Sequence, residues 1–288
     1  MLTALVGFSL DKPRPWLIVA DTPQGLTTSP VTSNQQRKED KMSVRKLGFA
    51  LLLGLCLSVY ASASCSNATL LGNYGFTITG VDATGSLSAS VGQLTANGKG
   101  NFTGTFTNST AGVISSNVAL TGTYSIKTTC IGTATLTPSG GTAEPFSLVV
   151  VSNGGQFELT ETKAGSSQYG YALAQGTAIC TNAGVKNTFG FRGGGYTSSL
   201  TPYAYNGQVK LNGLGGITGT ESASFGGTIE SFSLKGSYSV NSNCTGTATF
   251  NGSTGNVSHT YFVIVNGGQS AMQIQTDTSY IVTMFVQK

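Results

Sequence analysis

The residues that could do chemistry in this 288-residue sequence are few, and their spacing limits what they can do. One His is present, His259, in Ser258-His-Thr260. A metal site needs a cluster of His, Cys or carboxylate ligands, and His259 stands alone, so it reads as a solvated strand residue. Serine is plentiful, yet no Gly-x-Ser-x-Gly nucleophile elbow occurs. Glu158 and Glu161 lie three apart, which puts them on opposite faces of a strand and forbids an acid–base pair. The corresponding neighbourhood later in the chain holds Gln273, Gln275 and Asp277. The runs Arg192-Gly-Gly-Gly-Tyr196 and Gly213-Leu-Gly-Gly216 lack the strand-to-helix setting of a phosphate loop, and read as turns or bulges. The expectation is no catalytic residue, no metal and no cofactor.

The elements that would position any site follow from composition. Only 9% of residues are charged, against roughly 25% in an average domain, and Gly is 40 of 288. This excludes coiled coils, long-helix proteins and charge-driven disorder. The net charge of +4 is concentrated at the front. Residues 64–288 carry 8 Lys+Arg against 7 Asp+Glu, which supplies no basic footprint for nucleic acid.

Met42-Ser-Val-Arg-Lys46 is a basic n-region, Leu47 to Tyr60 an uncharged apolar run, and Ala61-Ser62-Ala63 a small-residue cleavage site. Residues 42–63 therefore read as a signal peptide, and 1–41 as a non-native extension or disordered leader. The apolar run is shorter than the ~20 residues of a spanning helix. No membrane span is expected after cleavage, and the mature chain is expected to be secreted or periplasmic.

Cys56 lies in the signal segment, which leaves Cys65, Cys130, Cys180 and Cys244. An even count in an exported chain suggests disulfides, and four Cys allow three connectivities. The spacing argues further. Gly122-Thr-Tyr-Ser-Ile126 recurs as Gly236-Ser-Tyr-Ser-Val240, and Cys130-Ile-Gly-Thr-Ala-Thr135 as Cys244-Thr-Gly-Thr-Ala-Thr249. Asn153-Gly-Gly-Gln156 recurs as Asn266-Gly-Gly-Gln269, and Tyr74-Gly-Phe76 is answered by Phe189-Gly-Phe191. All keep an offset of 113–115 residues. The body is one module written twice, over 64–176 and 177–288. Closure within each copy favours Cys65–Cys130 and Cys180–Cys244. The alternative is two free structural cysteines per copy.

Within a copy, period-2 alternation dominates: Tyr74, Phe76 and Ile78 share one face, and Leu120, Tyr124 and Ile126 another. Asn97-Gly98 and Asn153-Gly-Gly155 mark hairpins, since positive φ is cheap for Asn and Gly. The pattern predicts eight strands per copy, near 73–80, 87–96, 100–107, 117–127, 131–137, 145–152, 155–162 and 168–175. The second copy repeats them from 187–192 and 204–211 onward. The predicted fold is all-β: two tandem eight-stranded antiparallel up-and-down barrels, with two β-sandwiches as the alternative. One strand face makes an apolar core and the other a Thr/Ser/Asn/Gly coat. Tyr74, Phe76, Tyr124, Phe189, Phe191 and Tyr238 are the candidate ligand-cavity residues, weighed against a purely structural role as core aromatics.

The run Gly-Thr-Tyr-Ser-x(4)-Cys-x-Gly-Thr-Ala-Thr followed by Asn-Gly-Gly resembles a group of uncharacterised exported bacterial proteins. Their module is predicted as a small β-barrel similar to lipocalin and allene-oxide-cyclase barrels. The resemblance implies a fold and no reaction.

The functional expectation is a non-enzymatic exported binding or surface protein, with a small apolar ligand or a surface polymer as partner. One alternative is a barrel enzyme of cyclase or isomerase type on a small apolar substrate. Another is a single sixteen-stranded outer-membrane barrel, which would need an outward apolar band.

Overall fold

The computed structural model describes residues 64–288. The leader 1–41, the signal segment 42–63 and Cys56 lie outside the described residues. The first eight strands are β1 (Leu71–Val81), β2 (Leu87–Asn97), β3 (Asn101–Thr110), β4 (Val113–Ile126), β5 (Ile131–Pro138), β6 (Glu144–Val151), β7 (Gln156–Glu161) and β8 (Tyr169–Ala174). The next eight are β9 (Asn187–Thr197), β10 (Pro202–Leu211), β11 (Gly216–Phe225), β12 (Thr228–Val240), β13 (Thr245–Gly252), β14 (Val257–Val265), β15 (Ser270–Gln275) and β16 (Tyr280–Gln287). Within each set of eight, each strand pairs antiparallel with its sequence neighbours; β1 closes on β8, and β9 on β16. The described chain is therefore two up-and-down barrels of eight strands, which leaves neither sheet with an open edge. It is neither a pair of sandwiches nor one barrel of sixteen strands, because each sheet closes after its eighth strand.

The hairpins rest on local chemistry. The Asn97 side-chain oxygen accepts the backbone N–H of Lys99 at 2.8 Å and of Asn101 at 3.0 Å. Asn212 does the same for Leu214 and Gly216, both at 2.8 Å. Each Asn is followed by a glycine at positive φ, Gly98 at 72° and Gly213 at 82°. The Asn-Gly-Gly match is one residue out of register with the fold. The turns span Ser152–Gly154 and Asn266–Gly268, so Asn266 answers Ser152 and Gly267 answers Asn153. Both positions require left-handed backbone, which Ser, Asn and Gly each supply here.

One end of each barrel is plugged by the segment before its first strand. Disulfides Cys65–Cys130 and Cys180–Cys244 pin these segments, with Cα atoms 4.9 and 4.8 Å apart. Asn67 and Asn182 each accept a backbone N–H from the facing strand, Ile126 and Val240, at 2.8 Å. The Tyr124 hydroxyl donates to the Leu70 carbonyl at 2.8 Å, and the Tyr238 hydroxyl to the Asn182 carbonyl at 3.0 Å. The Gly-Thr/Ser-Tyr-Ser and Cys motifs shared by the copies thus build the floor of each barrel.

The outer coat is not polar throughout. Ala89, Val91, Leu173, Val263, Val265, Met272, Ile274 and Ile281 form one buried cluster between the barrels. The run Tyr261-Phe-Val-Ile-Val265 is apolar on both faces because its strand has a barrel core on one side and the other barrel on its outside. Burial there pushes the Tyr261 hydroxyl up to about 12. Hydrogen bonds seal the contact: Gln175 Nε2 donates to the Ile264 carbonyl at 3.0 Å and Ser279 N–H to the Gly112 carbonyl at 2.8 Å. Among the described residues no helix is long and apolar enough to cross a membrane. The two disulfides fit a non-cytoplasmic, oxidising compartment.

Candidate functional site

The two barrels share a floor and differ in filling. In the first, aromatic rings occupy the interior. Phe102 stacks on Tyr124 at 4.4 Å and on Phe157 at 5.9 Å between centroids, and Tyr74 meets Phe157 edge-on at 5.3 Å. The Tyr74 hydroxyl is satisfied by the Gly154 carbonyl at 2.8 Å. In the second barrel several of the matching interior positions are smaller or polar, and a cavity of about 490 Å³ opens. That lies within the ~300–1,000 Å³ range of small-molecule sites.

Strand register identifies the exchanges. Gly92 faces Phe106 in the first barrel, and Gly207 faces Glu221 in the second. Ala134 faces Phe146, and Ala248 faces Thr260. Leu148 faces Leu159, and Phe262 faces Gln273. Three apolar fillers have become Glu221, Thr260 and Gln273. Across from them, Ser88 and Ser90 are replaced by Tyr203 and Tyr205.

The glycine run that reads as a turn or bulge in the sequence lies inside β9, bonded on both sides to β10 and β16. Its reason is steric. A Cβ on Gly193 would lie 2.5 Å from the Tyr205 hydroxyl oxygen, so only glycine lets that ring lie flat against the wall. Gly213-Leu-Gly-Gly216 does form a turn, between β10 and β11.

The electrostatics of the cavity are one-sided. The Tyr203 hydroxyl donates to Glu221 Oε1 at 3.1 Å. Burial holds the half-buried Glu221 carboxyl above its ordinary value, against the lowering effect of that hydrogen bond. Burial, with the Glu221 charge added, raises Tyr203 and also Tyr205. Glu230, exposed on β12, lines the rim. Among the residues lining this cavity none is Lys, Arg or His. Thr260 Oγ1 and Gln273 Oε1 are buried without a hydrogen-bond partner, and both residues line the cavity. Thr260 is 4% and Gln273 8% exposed, so water is largely shut out from these side chains.

Carboxylates on neighbouring strands share space that spacing along one strand does not show. Glu221 and Glu230 line one cavity from β11 and β12. In the first barrel, Glu144 is raised by burial and then by the charge of Glu161, which accepts from Ser166 and from Gln168 Nε2 at 3.0 Å. His259 is exposed and does not line the cavity; its Nδ1 lies 2.7 Å from Asp277 Oδ1. Burial raises the Asp277 carboxyl, but hydrogen bonds from His259 and Gln275 outweigh it and hold the group below its usual range.

Of the six candidate residues, Phe191 lines the cavity, facing Tyr205 at 6.1 Å. Phe189 and Tyr238 lie at a small apolar space of about 50 Å³ toward the floor. Tyr74, Phe76 and Tyr124 belong to the filled core of the first barrel. The residues not foreseen are Tyr203, Tyr205, Glu221, Thr260 and Gln273. The signal for them was present where the copies differ: Ser88-Ala-Ser90 against Tyr203-Ala-Tyr205. A groove of about 300 Å³ between the barrels, lined by Thr77, Tyr171, Arg192 and Phe285 among others, holds one more unpartnered oxygen, Thr77 Oγ1.

No protein-family model matches the chain, and no curated protein matches it in sequence. Among solved structures it is similar to kievitone hydratase from Nectria haematococca, with 6% identity and a TM-score of 0.27 over 77% of this chain and 91% of that one. It is also similar to a protein of unknown function of the DUF3598 family from Nostoc punctiforme, with 11% identity and a TM-score of 0.23 over 76% of this chain and 96% of that one. Likeness at this level assigns the chain neither a family nor an activity.

Proposed function

We propose that the chain is an exported binding protein whose second barrel takes one small, partly polar ligand, while the first is a filled structural barrel. The observation that carries this is the pair of buried, unpartnered oxygens, Thr260 Oγ1 and Gln273 Oε1, at a cavity where the duplicate has Phe146 and Leu159. An unsatisfied buried polar atom costs about 1–3 kcal/mol, and a bound ligand is one way to repay that cost. The signal-like segment 42–63 and the resemblance to exported barrel proteins support a secreted or periplasmic setting.

The test is titration with the neutral dye N-phenyl-1-naphthylamine, followed by fluorescence. Wild type should bind one equivalent. The variant Thr260→Phe/Gln273→Leu, which imports the filling of the first barrel, should lose that binding. Equal binding by both proteins would overturn the reading.

A second reading is proton-transfer catalysis of cyclase or isomerase type on a small apolar substrate. It is favoured by one contact, the raised Glu221 carboxyl beside the Tyr203 phenol. Turnover of a bound compound, abolished in Glu221→Gln with binding retained, would separate it from simple binding.

A further inference from the structure

We infer that the ligand of the second barrel is a small organic cation, an ammonium group carried on an apolar or aromatic body. The inference rests on the binding reading above and names its ligand class.

The cavity wall supplies acceptors and no positive charge. Glu221 lies within the barrel and Glu230 at its rim, and no basic side chain lines the space with them. A neutral ligand would leave the half-buried Glu221 carboxylate without a counter-ion, which is the costly arrangement for a charge in a low-dielectric interior. Gln273 turns an amide oxygen without a partner to the interior. That oxygen accepts, and a ligand that brings donors satisfies it. An ammonium group brings several.

Aromatic rings complete the match. Tyr203 and Tyr205 lie 4.9 Å apart between centroids, and Phe225 meets Tyr203 edge-on at 5.7 Å. Such faces attract an organic cation through their quadrupole, and the attraction grows as water is excluded. Among the described residues no three His, Cys, Asp or Glu side chains converge as a metal site would need, which favours an organic cation over a metal ion. The first barrel has Phe106 in the place of Glu221, so no carboxylate stands at that position of its wall.

The experiment is isothermal titration of the chain with three matched probes: 2-phenylethylammonium, 2-phenylethanol and 3-phenylpropionate. The ammonium should bind about ten- to a hundredfold tighter than the alcohol, as expected for a hydrogen bond to a charged group, and the carboxylate weakest. In Glu221→Gln the preference for the ammonium over the alcohol should collapse. Glu158→Gln, altering a carboxylate of the first barrel, should keep the preference. Equal binding of ammonium and alcohol, or a preference that survives Glu221→Gln, would overturn the assignment. If the neutral dye enters while the ammonium shows no preference, the cation assignment alone falls. If no probe enters, the cavity reading falls with it.

Discussion

The Tyr203 hydroxyl on β10 donates to Oε1 of Glu221 on β11 at 3.1 Å, inside a barrel whose duplicate carries Ser88 and Phe106 at the same register positions. The duplication kept the floor and exchanged the filling. The proposed ligand site lies in what the copies do not share.

Glu221 is held above its ordinary value of 4.5, so the fold favours its protonated form. The sign for stability follows. Below the unfolded-state value the group costs nothing, and as pH rises through the folded-state value the fold becomes less stable by the cost of charging it. The groups facing it are Tyr203, Tyr205 and Tyr280 from β10 and β16 and Glu230 from β12. None of these supplies a positive charge. Glu221→Gln should therefore raise Tm at pH 7 by on the order of a few °C and leave it unchanged near pH 3. Scanning calorimetry at the two pH values checks this, and a lower Tm at pH 7 would count against it.

Thr260→Phe/Gln273→Leu removes two unpartnered buried oxygens and fills space. Each oxygen relieved is worth about 1–3 kcal/mol. The variant should unfold at higher urea concentration than wild type. A loss of stability would mean that the cavity walls do not accept the first barrel's packing.

Gly75 on β1 sits at the contact between barrels, where a Cβ would lie 2.6 Å from Val265 Cγ1 and 2.9 Å from Val263 Cγ1. Gly75→Val overpacks a junction with no slack and should cost about 1–3 kcal/mol. Denaturant unfolding should then move away from a single transition, because the shared cluster couples the barrels. An unchanged curve would show that the interface yields freely.

Each disulfide joins residues 64 or 65 apart and pins a plug segment. Replacing Cys180 and Cys244 by Ala should cost roughly 3–4 kcal/mol by loss of loop constraint. Because the plug of the second barrel underlies the cavity, the same variant should also weaken dye binding. Denaturation in parallel with dye titration separates the two effects.

The barrels were legible in the sequence because period 2, Asn-Gly turns and a 113–115 offset are all local or self-comparing signals. The same holds for Cys65–Cys130 and Cys180–Cys244. The Arg192-Gly-Gly-Gly-Tyr196 run was misleading, since glycine marks a turn in one setting and room for a neighbouring ring in another. The interface was hidden because burial of an outer strand face depends on a second body. The site was hidden for two reasons. Glu221 and Glu230 line one cavity from neighbouring strands, which spacing along one strand cannot show. Tyr203, Thr260 and Gln273 occupy positions where the copies disagree, and attention to shared residues leads to the floor.

The most direct measurement is a crystal structure of the chain soaked with 2-phenylethylammonium. Density for one molecule in the second barrel is predicted, with the ammonium toward Glu221 and Gln273 and nothing inside the first. Density within the first barrel, or a second barrel closed by its own side chains, would contradict the division of labour between the two copies.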